Sequence, residues 1–328
     1  MTPGTRTHGA EQSDETRALL SNPLHGLSEP RQLAAVLGVP LPELWRLSRA
    51  VNNYFAFETQ TGGKLRLVTA PRRRLEEIQG DVCHQLRKLG QPDYLHSGMP
   101  GRSNVTHAAG HQGQAWLCKI DLRSFYLQVT AAHVRRFFSH DMQCSASVAA
   151  LLTRLCTTEG HLPIGGKVSQ QLAFRVAKPM LDELASLAMA ANIRFSCNVD
   201  DLCFSGEKAT PSFLWRVKQV IHKCGFRYHD AKCYRPGQPR LVTGVLLTDA
   251  GTTLRGRDVL RIRQELSARF NADPCEKKLR SLQGRLAAAS AIDSRYRPAL
   301  DAVQARLKTL SAHGPIRGAP RSMLVQST

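Results

Sequence analysis

The stretch IRFSCNVDDLCFSG, residues 193–206, decides how the rest of the chain is read. Ile193, Phe195, Cys197 and Val199 alternate with Arg194, Ser196, Asn198 and Asp200, the period of a strand with one apolar face. A second apolar run follows Asp201, so the segment predicts two short strands around a tight turn that holds Asp200 and Asp201. Two like charges this close repel and raise each other's pKa unless a cation lies between them. A divalent metal is the simplest remedy, and magnesium favours carboxylate oxygens combined with substrate phosphates. Taken alone, the dipeptide reads equally as a solvated hairpin turn.

A third carboxylate changes that balance. Asp121 ends a separate predicted strand in WLCKIDLRSFY, residues 116–126. If the two strands are neighbours, three carboxylates meet at one sheet edge. Such a set holds two metal ions about 4 Å apart and supports in-line phosphoryl transfer.

Composition agrees with a phosphate-rich partner. The 328 residues carry a formal net charge of +19, and 42% are apolar, enough for a sizeable core. A charge of that size speaks of partners, and nucleic acid is the default polyanion. No run of 18 apolar residues occurs, which argues against a membrane partner, and the first 20 residues lack the pattern of a secretory signal, which points to the cytoplasm. Nine cysteines stand singly with no CxxC, so buried reduced thiols are expected rather than disulfides or a zinc site.

Working outward, residues 1–28 read as a flexible leader. Two helices follow, then a β-hairpin in AFETQTGGKLRLVTA with Gly62 and Gly63 in the turn, then an amphipathic helix closed by Gly90. A long helix is expected from Val168 to Ala190, kinked at Pro179. Another covers SFLWRVKQVIHKCG, and RLVTGVLLT reads as one strand. Residues 255–310 are helical with basic faces, and residues 313–328 read as a disordered tail. The order is not a regular βαβ alternation; it predicts an α+β protein with a mostly antiparallel sheet followed by a helical module.

KIDLRSFY, LPIGGKVSQ, NVDDLCFS, the Lys232 region and LVTG stand in the order of the palm motifs of reverse transcriptases. GGKLRLVTAP with LEEIQ, HSGMPGRSNVTHAAGH, the helical entry AAVLGVPLPELWRL and the thumb-like KLRSLQGRL resemble the bacterial retron type. The resemblance spans roughly residues 30–310. It implies a right-hand polymerase: N-terminal helices and fingers over 29–115, an RRM-like palm over 116–250, and a helical thumb over 251–312.

The resemblance also implies roles. Asp121, Asp200 and Asp201 would bind two Mg2+ ions, with Mn2+ an alternative and Leu122 beside them in the metal set. Lys232 matches the lysine that protonates the leaving pyrophosphate, against the plain reading of an exposed loop lysine. Lys64 and Arg66 of the fingers would hold the triphosphate, since a guanidinium fork suits phosphate. Tyr126 would sit under the incoming sugar and exclude a 2′-hydroxyl, with Phe125 in the core. Gly165 and Gly166 would let backbone approach the nucleotide, or else simply open a helix. Arg72, Arg73 and Arg74 would contact the template backbone, and Arg102 would bind nucleic acid. His107 and His111 match a retron RNA-recognition motif, with His107 where the family has Asn. Val242, Thr243 and Gly244 match the VTG near the primer grip.

Two further departures matter. Asn198 stands where the family has Tyr before the aspartate pair, which touches primer positioning more than metal binding. Ile164 replaces a Gln and Gln170 a Pro, a form typical of diversity-generating retroelements, which implies lowered fidelity. The implied activity is RNA-directed DNA synthesis on a structured non-coding RNA, from dNTPs, giving a branched RNA–DNA product, with an effector protein and a role in phage defence. The alternatives are another defence or diversity-generating reverse transcriptase, and an RNA-binding palm that no longer polymerises.

Overall fold

The computed structural model describes residues 8–61, 64–113, 115–270 and 276–312. Contacts divide the chain into two units: Asn104–Gln112 joins the chain from Gly237 onward, and the remainder up to Pro236 forms the other.

In the first unit the chain forms α1 (His8–Leu20), α2 (Pro30–Leu37), α3 (Leu41–Arg49), the strands β1 (Tyr54–Thr61) and β2 (Lys64–Pro71), and α4 (Arg73–Arg87). After α5 (Asn104–Ala109), which belongs to the second unit, come β3 (Trp116–Leu122), α6 (Phe125–Gln128), α7 (Ala131–Arg136), a π-turn over Phe137–Asp141, and α8 (Ala146–Cys156). The unit closes with α9 (Ser169–Ala190), β4 (Arg194–Asn198), β5 (Asp201–Gly206), α10 (Pro211–Lys223) and β6 (Tyr228–Tyr234). β1 and β2 pair as a hairpin, Tyr54 opposite Pro71 through Thr61 opposite Lys64; its Gly62–Gly63 turn lies outside the described residues. The other four strands make an antiparallel sheet in the order β4-β5-β3-β6.

Apolar spacing explains the packing. On α4, Leu75, Ile78, Val82 and Leu86 recur on one helical face and are all buried. On α9, Leu172, Phe174, Met180, Leu181 and Leu184 are buried, and the helix is continuous through Pro179. Each fully buried side chain of this size stabilises the fold by about 1.5–3 kcal/mol. One buried cation joins these helices: Arg175 Nη2 donates to the carbonyls of Leu89 and Gly90, both at 2.9 Å, and Leu86 at 3.4 Å. A guanidinium placed there satisfies the orphan acceptors at the end of α4 and meets the negative end of its dipole.

The expected leader is ordered in part. Residues 8–20 form α1, Leu24 is fully buried in the same core, and Glu15 pairs with Lys178 at 3.2 Å. Polar composition concealed this, because two or three apolar anchors are enough to dock a short segment.

In the second unit, β7 (Arg240–Val242), β8 (Val245–Thr248) and β9 (Gly251–Thr253) form a three-stranded antiparallel sheet. The helices α11 (Gly256–Phe270), α12 (Glu276–Ile292) and α13 (Arg297–Ala312) bury Ile262, Leu279, Leu282, Leu286 and Leu300 as a separate core. RLVTGVLLT is thus two strands and not one. Thr243 and Gly244 both have positive φ, 43° and 86°, the pattern of a two-residue hairpin turn that matches strand twist. A β-branched residue with positive φ is strained. Thr243 is held there by Asn104: Thr243 Oγ1 donates to the Asn104 carbonyl at 2.9 Å, and Asn104 Nδ2 donates to the Thr243 carbonyl at 3.3 Å. No helix among the described residues is long and apolar enough to cross a membrane.

Candidate active site

Strand register builds the site. Asp121 pairs with Asp201 on one side and Asp230 on the other, while Asp201 pairs with Asn198. One row across the four strands therefore reads Asn198, Asp201, Asp121, Asp230. Two residues along, on the same face, the row reads Ser196, Cys203, Lys119, Lys232. The alternate rows carry Phe195, Phe204, Cys197, Leu202 and Ile120, which pack into the core. The sheet has one greasy face and one face on which carboxylates and lysines converge.

The turn that presents Asp200 is two residues long. Its first residue, Val199, has φ of 60°, where hairpins normally place glycine. A valine held there stores strain, and such strain clusters at functional sites. Leu122 N–H donates to the Asp200 carbonyl at 2.9 Å, which ties the turn to the end of β3. The β3–β6 register slips between Asp121 and Leu122, a bulge that re-aims side chains at the strand end.

Electrostatics follow from this crowding. Burial raises the Asp200 carboxyl to about 6, with Asp121 as the largest charged contributor. Burial raises Asp121 too, followed by the charge of Asp201. Arg66, on β2, acts in the opposite sense on Asp200. Asp201 is different: Lys119 Nζ lies 2.9 Å from its Oδ1, with both side chains largely buried. Among the described residues, the carboxyl oxygens of Asp121, Asp200 and Asp201 do not all approach within 4.8 Å of one another. Hard oxygen donors, mutual repulsion and raised pKa values together fit a divalent cation.

The other expected residues fall into two groups. Tyr126 is half-buried beside the core, its hydroxyl pushed up to about 12 by burial first and Asp200 second, while Phe125 is buried. Lys232 is exposed and lies 2.9 Å from Asp230 Oδ2. Gly165 N–H donates to the Thr69 carbonyl at 2.9 Å, which joins the β2 hairpin strand to the loop before α9. Gln79 supports the same loop by accepting from Lys167 N–H at 3.1 Å and donating to the Tyr54 hydroxyl and the Leu155 carbonyl.

A Cβ on Gly165 would meet Val68 Cγ1 at 2.9 Å, and one on Gly166 would meet Ser169 Oγ at 2.2 Å. Protein packing alone therefore accounts for both glycines. The arginines expected at the template have partners within the fold: Arg74 with Glu43 at 2.7 Å and Glu77 at 3.1 Å, Arg73 with Glu77, and Arg72 Nε with the Asn52 carbonyl. Arg102 donates to the carbonyls of Asp93 and Leu95. His107 and His111 are buried, ring to ring at 5.7 Å, and Val242 is buried. The Lys64 side chain lies outside the described residues.

Two polar residues at this face escaped the sequence reading, Lys119 and Asp230. The signal was present: KID and DAK each place a lysine and an aspartate two apart, on one strand face.

The chain is 32% identical to the retron Mx65 reverse transcriptase of Myxococcus xanthus, over 78% of this chain and 66% of the relative. It is 28% identical to the retron Se72 reverse transcriptase of Salmonella heidelberg, covering 58% and 52%, and 23% identical to the retron Ec86 reverse transcriptase of Escherichia coli, covering 78% and 81%. The chain thus spans about half to two thirds of the length of the Mx65 and Se72 enzymes. No family model matches. A solved foamy viral protease-reverse transcriptase in complex with double-stranded DNA is similar at a TM-score of 0.44 and 17% identity, over 81% of this chain and 40% of that one. Carboxylates, Arg66 and the half-buried Tyr126 thus lie around one strained turn, and the proteins this chain is similar to are retron-type reverse transcriptases.

Proposed function

We propose that this chain is an RNA-directed DNA polymerase of the retron type, with its catalytic face on the β4-β5-β3-β6 sheet. The observation that carries the reading is the pairing of Asp121 with Asp201 beside the Asp200 turn. The hairpin and the loop at Gly165 serve as fingers, the four-stranded sheet as palm, and the α11–α13 unit as thumb. Asp121, Asp200 and Asp201, with the backbone of Leu122, would hold two magnesium ions. Bound there, the ions supply Lewis-acid stabilisation of the attacking hydroxyl and the leaving pyrophosphate.

The chain's own groups do the rest. Arg66 neutralises phosphate charge near Asp200. Tyr126, fixed by burial against Phe125, limits the room at the sugar's 2′ position and selects dNTPs. Lys232, oriented by Asp230, carries the proton for the leaving group. The net charge of +19 supports sequence-independent hold on phosphates, while base pairing and RNA shape choose the template. A structured non-coding RNA is the template and primer, a branched RNA-linked DNA the product, and defence with an effector protein in the cytoplasm the setting.

Primer extension on an RNA template with magnesium tests the activity, comparing the parent with Asp200→Asn. Incorporation by the parent alone is expected; equal incorporation by both ends the polymerase reading.

A further inference from the structure

Lys119 has no part in the reading above, yet it stands in the centre of the charged face. It occupies the middle strand, with Cys203 opposite on β5 and Lys232 opposite on β6. Lys232 already has Asp230 at 2.9 Å, and Cys203 is fully buried. The ammonium of Lys119 therefore turns along the sheet to Asp201, at 2.9 Å, with only about a fifth of either side chain exposed. Among the described residues, Asp121 and Asp200 form no such ion pair.

A buried carboxylate without a partner is costly, and three together are worse. The fold gives one of them a direct ion pair with a covalently tethered cation, while Asp121 and Asp200 feel cations only at longer range. Resting on the proposed two-metal site, we infer that Lys119 is the resident counter-ion of Asp201, a positioning residue that competes with an incoming divalent cation for that carboxylate. Asp121 and Asp200 then receive the first cation, and Asp201 joins only when its lysine is drawn off. Filling the full site then needs a higher divalent concentration than three free carboxylates would.

Manganese binding to the full chain, without nucleotide, tests this by isothermal titration and by the electron paramagnetic resonance of free Mn2+. Lys119→Gln removes the charge and keeps a donor for Asp201, so the carboxylate retains a hydrogen bond. Its affinity for Mn2+ should rise at least about fivefold, the factor that one unit charge about 4 Å away exerts even at the dielectric constant of water. The melting temperature should also rise more on adding Mn2+ than it does in the parent. Lys119→Arg keeps the charge and should bind within about twofold of the parent, a rescue that lost packing would not give. Unchanged or weaker Mn2+ binding by Lys119→Gln overturns the counter-ion role while leaving the metal site intact. Asp121→Asn separates the two claims: Mn2+ binding by the parent that this variant does not weaken overturns the metal site itself, and the counter-ion with it.

Discussion

Asp200→Asn should make the metal-free protein more stable at neutral pH, while abolishing its activity. The Asp200 carboxyl titrates at about 6 in the folded chain because it is buried beside Asp121, against about 3.9 when unfolded. The folded state therefore holds a proton that the unfolded state has released. Stability is fully present below about pH 4 and falls as pH rises through about 6. At about 1.4 kcal/mol per pKa unit, ionised Asp200 costs the fold about 2–3 kcal/mol at pH 8. Asparagine keeps the shape and removes the charge, so it recovers that amount, equivalent to about 5–10 °C in melting temperature for a unit of this size. The assay is thermal unfolding of parent and variant in EDTA at pH 4 and pH 8. The expected result is a gap at pH 8 that closes by pH 4. A variant equal to or less stable than the parent at pH 8, or a gap independent of pH, would refute the argument that crowding of carboxylates strains this face.

Other substitutions probe the supports of the site. Gly166→Ala places a methyl group 2.2 Å from Ser169 Oγ and 2.7 Å from Pro163 Cγ, which disrupts the Ser169–Pro163 hydrogen bond and should cost about 1–3 kcal/mol in urea unfolding. Tyr126→Ala opens space beside Asp200 and should raise ribonucleotide incorporation at least about tenfold relative to dNTP, given that a single steric contact is worth about 1–3 kcal/mol; an unchanged ratio removes the gate from Tyr126. Ile164→Gln should lower misincorporation in a single-nucleotide assay, since an amide restores a polar contact at the exposed position before Gly165; unaltered accuracy dissociates that position from fidelity.

Much of this face was legible because strand alternation is local. Alternating residues in 193–206 gave the hairpin, the aspartate pair gave the turn, and KIDL gave the partner strand. The register that sets Asp121 opposite Asp201 was an inference that only the sheet order supplied. What escaped depends on distant neighbours. Arg74 read as a free cation, and its ion pair with Glu43, 31 residues away, was not visible in the local sequence. The close packing of Val68 against Gly165 and of Ser169 against Gly166 likewise depends on the fold and could not be read from the glycines alone. RLVTGVLLT read as one strand because Val, Thr and the flanking leucines suit strands, whereas Asn104, 139 residues away, fixes Thr243 in a turn. Lys119 was overlooked because a lysine within a strand usually points to solvent, and here its ammonium meets a carboxylate instead.

The central claim is that Asp121 and the Asp200–Asp201 turn grip the same cation. Ferrous iron substituted for magnesium, with ascorbate and peroxide, cuts a polypeptide beside the bound ion, and the fragments can be mapped by mass spectrometry. The account predicts two clusters of cuts, one at residues 119–122 and one at 198–202, both suppressed by excess Mg2+ and both lost together in Asp121→Asn. Cuts at only one of the two segments, or cuts at both that survive Asp121→Asn, would contradict it.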